Sequence, residues 1–220
     1  MSTVPDYRAK ALSRTIKALR EDLIDDSGPK ISTMRNYRFA IVVYAPEDEW
    51  ELRDQIRELA PDLASHGWVM HSISLQKLMI ERLRRELGDD ALDKLVELER
   101  RLSSRAPERA LKFLKEKIIQ VIEGPDGLAA DIAADIDRLV EEDPERAERT
   151  VVFLGRTGAL YPFMRTSALL KHLDGRTHNL PVVLLYPGKK EGDAGLSFMG
   201  QLPPDRDYRP RIYTPDSYKL

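Results

Sequence analysis

Hydrophobic positions near the start of the chain repeat with the period of an α-helix. Leu12, Ile16, Leu19 and Leu23 are spaced four, three and four residues apart, which places them on one face of a helix. We therefore expect a helix over residues 7–24 whose apolar face packs on a core.

Four later segments show strand patterns instead. Residues 39–44, 150–154 and 181–186 are apolar at almost every position and rich in β-branched residues, which is typical of strands buried on both faces of a parallel sheet. Residues 69–75 alternate between apolar and polar positions, which favours a strand near an edge of the sheet. Together the four segments predict the parallel core of an α/β fold.

Helical patterns connect these strands. Pro46 with acidic residues behind it indicates a helix start, and a further helix is expected over residues 162–173. The stretch 76–149 is helical throughout. Because a single helix is enough for a parallel crossover, we interpret residues 76–149 as a helical insertion within one domain of residues 1–220. Its helices are expected over residues 76–87, 90–103, 107–123 and 126–142.

The end of the chain carries two short strand candidates, residues 196–200 and 209–214. The loops before them are shorter than the roughly 10–12 residues of a parallel crossover, so both strands are expected to run antiparallel. The complete expectation is an α/β fold: a three-layer, Rossmann-like or P-loop-like mixed sheet with parallel core strands, antiparallel edge strands and a helical insertion.

Composition excludes several classes of protein. The 220 residues include no cysteine, which excludes a disulfide scaffold, a thiolate zinc site and a cysteine nucleophile. The 35 basic and 37 acidic residues nearly cancel, with a net charge of -2, so a basic protein that wraps nucleic acid is not expected. The start is polar and the longest apolar runs have about six residues, against the roughly 20 that a membrane span needs. A cytoplasmic protein without membrane contact is expected.

Three loops should meet at the carboxyl ends of the strands, where open α/β sheets bind ligands. The glycines and cations in and behind these loops suit a phosphate or another anion, and they are Gly155, Arg156, Gly158, Arg165 and Lys189. The alternative is structural, because strand-to-helix turns use glycine for backbone reasons and their arginines often pair with nearby acids. The chain has neither G-x-x-x-x-G-K-[ST] nor G-x-G-x-x-G.

Other templates for chemistry fail as well. Residues 195–200 hold one residue too many for the G-x-S-x-G nucleophile motif. Asp131, Asp135 and Asp137 lie on one expected helix, and the first two share a face that suits either a divalent cation or a solvated charged surface. Basic residues in 100–115 alternate with glutamates, which favours a salt-bridged surface over direct DNA binding. We predict no catalytic residue, no metal and no cofactor.

Aromatic and methionine side chains cluster in loop and edge segments near the carboxyl ends of the strands. The candidates for a protein interface are Tyr161, Phe163, Phe198, Met199 and Tyr208, since exposed aromatics and methionine mark such surfaces. Packing in the core is the alternative, and Tyr161 and Phe163 at a helix start also fit a hydrophobic staple.

Three segments of the chain resemble the BrxB family of bacterial phage-exclusion (BREX) systems. They are F-L-G-R-T-G-A-L-Y-P-F at 153–163, N-L-P-V-V-L-L-Y-P-G at 179–188 and L-S-F-M-G at 196–200. The resemblance spans about residues 35–213 and is most specific over residues 150–213.

The resemblance implies a small accessory protein of a defence system, with no established catalytic residues. It also implies contact with PglZ, an alkaline-phosphatase-like protein of the same systems, and with other BREX subunits. A non-enzymatic assembly subunit that docks PglZ is therefore expected. The alternative is a nucleotide- or phosphate-binding regulator on a P-loop-like fold that lacks the Walker A motif.

Overall fold

The computed structural model describes residues 4–25, 28–31, 37–192, 195–204 and 210–215. In these ranges the helices are α1 (Val4–Leu23), α2 (Glu49–Ser65), α3 (Leu75–Leu87), α4 (Asp89–Ser103), α5 (Pro107–Ile122), α6 (Leu128–Glu142), α7 (Pro144–Ala147) and α8 (Thr166–Leu173). The strands are β1 (Phe39–Tyr44), β2 (Val69–Ser74), β3 (Thr150–Gly155), β4 (Val182–Glu191), β5 (Gly195–Phe198) and β6 (Arg211–Tyr213). No helix in the described part of the chain is both long enough and apolar enough to cross a membrane.

Five of the strands lie in the order β2-β3-β4-β1-β6 and run parallel to one another. β3 and β4 are central and almost fully buried in the sheet, as their continuous apolar composition predicts. β2 is an edge strand beside β3, which confirms the interpretation of its alternating pattern. β5 pairs antiparallel with the carboxyl end of β4, where Phe198 lies opposite Gly188.

The direction of β6 corrects the expectation that both final strands run antiparallel. β6 runs parallel to β1, with Arg211 opposite Ala40. The hairpin from β4 to β5 reverses the chain once, and the connection from β5 to β6 reverses it again. The two reversals return the chain to the direction of β4 and β1 without a crossover, so the short loops do not make β6 antiparallel to the strand beside it.

Helices cover both faces of the sheet, which gives the expected three layers. Val42 and Tyr44 on β1 pack into one core with residues of α1 and α2. Ile41 and Val43 point the other way, into a second core with residues of α3, α5, α6 and α8. The alternation follows from the two-residue period of a strand.

The stretch between β2 and β3 is helical as predicted, with α3 to α6 each within two residues of the expected bounds and α7 as an additional short helix. α3, α5 and α6 bury apolar residues such as Met79, Ile122 and Ile132 in the core shared with the sheet. α4 has only Leu95 buried and packs on α3 and α5. The helices between β2 and β3 therefore form most of one layer of the fold.

The segment between β3 and α8 differs from the expected helix at 162–173. A short 3-10 turn spans Thr157–Leu160, and α8 begins only at Thr166. Leu160 and Met164 are both buried in the core, and their burial holds the intervening chain in an irregular loop. The half-buried side chains of Tyr161 and Phe163 therefore lie on a loop beside the carboxyl ends of the strands.

Candidate functional site

A cleft of about 370 Å³ lies between α2 and one face of β2, β3 and β4, and it reaches the ends of β1, β2 and β3 at Tyr44, Ser74 and Gly155. We call it the α2 cleft. It forms because α2 crosses from β1 to the edge strand β2 on one face, while the other helices that follow the strands lie on the opposite face. Its apolar wall is built from Leu52, Ile56, Met70, Phe153 and Leu185. A concave, mostly apolar site at this edge is where open α/β sheets bind ligands.

Charged and hydroxyl groups meet at one end of the α2 cleft. Nη1 of Arg156 lies 3.6 Å from Oε1 of Glu49, and the hydroxyl of Tyr44 donates a hydrogen bond to Oε2 of the same carboxylate. Burial, and then the bond to Glu49, raise the pKa of Tyr44 well above its ordinary value. The phenol therefore stays protonated and acts as a donor, and Glu49 links the ends of β1 and β3.

Arg156 has an unusual backbone conformation. Its φ of 58° and ψ of 32° place it in the left-handed region, which non-glycine residues other than asparagine and aspartate seldom occupy. Gly155 and Gly158 on either side do not have positive φ values. A Cβ atom would lie 3.8 Å from Leu185 at Gly155 and 3.6 Å from Pro187 at Gly158, which are ordinary contacts. Neither a positive φ nor a close contact therefore requires glycine at these two positions, while Arg156 does approach a nearby acid, Glu49.

The structure does not assemble all the predicted anion-binding residues in one place. Gly155 and Arg156 line the α2 cleft. Gly158 faces Pro187 and Met199 instead, and the side chain of Lys189 is exposed and runs past Gly200.

Arg165 lies away from the α2 cleft as well. It precedes α8 and borders a narrow gap beside Tyr186 and Phe198. A phosphate contacted by all five predicted residues does not fit this arrangement.

The aromatic candidates divide between core and surface. Phe198 is only 3% exposed, and its ring lies 5.9 Å from the ring of Tyr161 and 5.3 Å from that of Tyr186. Tyr161, Phe163 and Met199 pack against the same core and remain half-buried. Phe198 thus supports the surface from below rather than forming it, because its backbone pairs with β4 and turns the ring inward.

Tyr208 lies outside the described residues.

The aspartates of α6 are engaged in ion pairs rather than in a shared cation site. Asp131 contacts Arg82 at 3.0 Å and Arg85 at 2.7 Å. Asp135 and Asp137 lie 2.7 Å and 2.6 Å from the Nε2 atoms of His71 and His178, respectively. No group of three potential metal ligands occurs in the part of the chain that the structure describes. Asp131, Asp135 and Asp137 are thus each held by basic side chains or histidines of other elements.

Two arginines of α2 line the cleft but are not among the residues predicted from the sequence. Arg53 stacks on the ring of Trp50 at 4.7 Å, and Arg57 pairs with Asp54 at 2.7 Å. Both arginines line the α2 cleft. Their spacing of four residues, each directly after an apolar residue at the helix period, is the signal that could have identified them.

Replacing Tyr44 with Phe is expected to lower the free energy of unfolding by about 1.5–3 kcal/mol, the usual range for a hydrogen bond to a charged group. The effect should shrink above about pH 10, because unfolded tyrosine ionises there while buried Tyr44 stays protonated, so the wild type loses stability as pH rises. Urea unfolding at several pH values measures both. A double-mutant cycle with Glu49→Ala should give a coupling of about 1 kcal/mol or more, and a coupling near zero contradicts the assignment.

One comparison with known proteins identifies a family. The family model for the BREX protein BrxB matches residues 71–212, from β2 through the helical insertion to β6. No match is found among curated proteins or among solved structures. The matched region contains Tyr161, Phe163 and Met199, whereas α1, β1 and α2 precede it. Since the match covers more than half of the chain, the protein belongs to the BrxB family of BREX proteins.

Proposed function

We propose that this protein is a non-enzymatic assembly subunit that docks the PglZ-like protein of its own BREX system. Membership of the BrxB family makes it a component of a BREX defence system. The absence of a catalytic motif in the sequence supports an accessory role rather than a catalytic one. The observation that carries the proposal is a group of half-buried aromatic and methionine side chains within the region that defines the family.

This group, which we call the aromatic edge, consists of Tyr161, Phe163 and Met199. The buried ring of Phe198 holds it in place by packing edge-on against Tyr161 at 5.9 Å. Aromatic residues and methionine are enriched in protein interfaces. Anchors supported by a rigid core also lose little conformational entropy when a partner binds, because their rotamers are already restricted.

The position of the aromatic edge suits a docking surface. Tyr161 and Phe163 lie on the irregular loop before α8, and Met199 lies on the turn after β5. β5 is held only at the extended end of β4, beyond the parallel sheet. A partner could therefore contact the edge without disturbing the parallel strands. Loops on a rigid scaffold are common places for such contacts.

Co-purification with the tagged PglZ-like protein of the same system tests the proposal. The wild-type chain should form a stoichiometric complex that persists at moderate salt, since apolar anchors are not screened. The double variant Tyr161→Gln/Phe163→Gln should bind at least about 30-fold more weakly, as expected for two central anchors. Calorimetry on the purified proteins measures the change.

A matched control removes apolar surface elsewhere. Val96 on α4 and Leu111 on α5 are 42% and 48% exposed, and Val96→Gln/Leu111→Gln should bind PglZ as the wild type does. Circular dichroism and thermal unfolding establish that each variant is folded. A folded Tyr161→Gln/Phe163→Gln variant with unchanged affinity would show that the aromatic edge is not the docking surface. A folded wild-type chain that does not bind PglZ would refute the function itself.

A further inference from the structure

We propose that the α2 cleft is a binding site for a small organic anion with an aromatic or otherwise apolar body. This site is separate from the aromatic edge and does not depend on the docking function. The volume of about 370 Å³ lies within the range of cavities that hold small ligands, about 300–1,000 Å³. The cleft also lies at the carboxyl ends of parallel strands, the usual ligand position of such sheets.

The walls of the cleft select an apolar body. Ile56 from α2 and Met70 from β2 are half-buried and face the cavity with Phe153 and Leu185 behind them. Removing the exposed part of these side chains from water stabilises a complex by roughly 25 cal/mol for each Å² buried. A fully polar ligand such as inorganic phosphate would forgo this contribution.

The charges around the cleft select an anion. Three arginines line it, Arg53, Arg57 and Arg156, and the one acidic residue in the lining is Glu49. Arg57 is already paired with Asp54 at 2.7 Å, and Arg156 approaches Glu49 only to 3.6 Å. Within the described residues Arg53 has no ion pair with a carboxylate and stacks on Trp50. One positive charge is therefore left uncompensated, and guanidinium groups bind carboxylates, sulfonates and phosphates well.

The backbone at the end of β3 supports a ligand role for Arg156. A left-handed residue other than glycine is strained, and such strain is concentrated at functional sites. Glycine would adopt the observed φ of 58° more easily, so the presence of arginine indicates a use for its side chain.

Two fluorescent probes of similar size test both parts of the proposal. 1-Anilinonaphthalene-8-sulfonate is an aromatic anion, and N-phenyl-1-naphthylamine is its neutral counterpart. The sulfonate should bind the folded protein saturably with one site per chain. The Arg53→Gln/Arg156→Asn variant should weaken sulfonate binding by about tenfold or more while changing binding of the neutral probe by less than about twofold. Asparagine is chosen at position 156 because it tolerates the left-handed conformation.

A second variant tests the location. Ser72 lines the cleft and is exposed on edge strand β2, so Ser72→Trp should fill the cavity and abolish binding of both probes. The matched controls are Arg84→Gln on α3 and Ser104→Trp after α4, both at exposed positions away from the cleft, and neither should change binding. Thermal unfolding establishes that all variants are folded.

Three results would overturn the proposal. No saturable binding of the sulfonate at probe concentrations up to about 1 mM would exclude the site. Sulfonate binding that survives Ser72→Trp would place it elsewhere on the protein. Equal weakening of the charged and the neutral probe by Arg53→Gln/Arg156→Asn would exclude selection for an anion.

Competition by AMP but not by inorganic phosphate would identify an aromatic anion of the kind found in cells as a ligand of the site.

Discussion

Replacing Arg82 with Met is expected to lower the free energy of unfolding by about 3–5 kcal/mol, the usual result of removing one member of a buried ion pair. The Arg82 side chain is 11% exposed and that of Asp131 is 14% exposed, with 3.0 Å between Nη1 and Oδ2. Nε of Arg82 also donates to the carbonyl oxygen of Val121 at 2.6 Å, and Nη2 donates to that of Asp126. The variant leaves the carbonyl groups of Val121 and Asp126 without this donor, and it leaves Asp131 with Arg85 at 2.7 Å as its remaining cationic partner.

The effect should be large because Arg82 ties together three parts of the helical insertion. It lies on α3, and its acceptors lie at the end of α5, in the loop that follows, and on α6. Arg84→Met is the matched control, since the Arg84 side chain on the same helix is 62% exposed and reaches Asp89 only at 3.7 Å. Exposed pairs contribute about 0–1 kcal/mol. Urea unfolding measures the free energy of unfolding of both variants. A loss below about 1 kcal/mol for Arg82→Met would show that the contacts of Arg82 do not stabilise the fold as proposed.

Gly188→Ala is expected to destabilise the protein by about 3 kcal/mol through a backbone clash. A Cβ atom at Gly188 would lie 2.3 Å from the carbonyl oxygen of Ser197 on β5 and 2.6 Å from Cε1 of Tyr186. The carbonyl cannot move without separating β5 from β4. Phe198 ends β5 and Met199 follows it directly, so the aromatic edge should be disturbed as well.

Gly158→Ala is the control for that substitution. A Cβ atom there would make ordinary contacts, 3.6 Å to Pro187 and 3.7 Å to Met199, and a stability change within about 0.5 kcal/mol is expected. The midpoint temperature of thermal unfolding and the affinity for PglZ should both be lower for Gly188→Ala than for the wild type. Both should be nearly unchanged for Gly158→Ala. If Gly188→Ala unfolds like the wild type, β5 does not pair with β4 as the structure shows.

The strands of the core were predictable because burial leaves a direct trace in composition. β1, β3 and β4 are apolar at almost every position, and the edge position of β2 follows from its alternation. The parallel direction of β6 was not predictable in the same way. It depends on which strands the two segments pair with: β5 pairs antiparallel with β4, and β6 then joins β1 after a second reversal of the chain, and loop lengths do not show these partners.

The candidate site was only partly predictable. Gly155 ends β3 and Arg156 follows it, and both line the α2 cleft at the carboxyl edge of the sheet as the strand pattern indicates. The contribution of α2 to the cleft was not predictable. α2 connects β1 to the edge strand β2 and so passes over β4 and β3, and no local sequence pattern encodes that strand order. Phe198 was assigned to the surface because a short edge strand does not reveal which face is covered, and its ring turned out to be buried.

Amide hydrogen exchange of the chain, alone and bound to the PglZ-like protein, tests the docking proposal most directly, because it locates the contact without a substitution. In the complex, amide exchange in residues 157–164 and 196–200 should be slower by about tenfold or more than in the free chain. The exposed surface of α4 and α5 should exchange at the same rate in both samples and serves as the internal reference. Protection confined to α4 and α5, or no protection at a saturating concentration of PglZ, would show that PglZ does not dock on the aromatic edge.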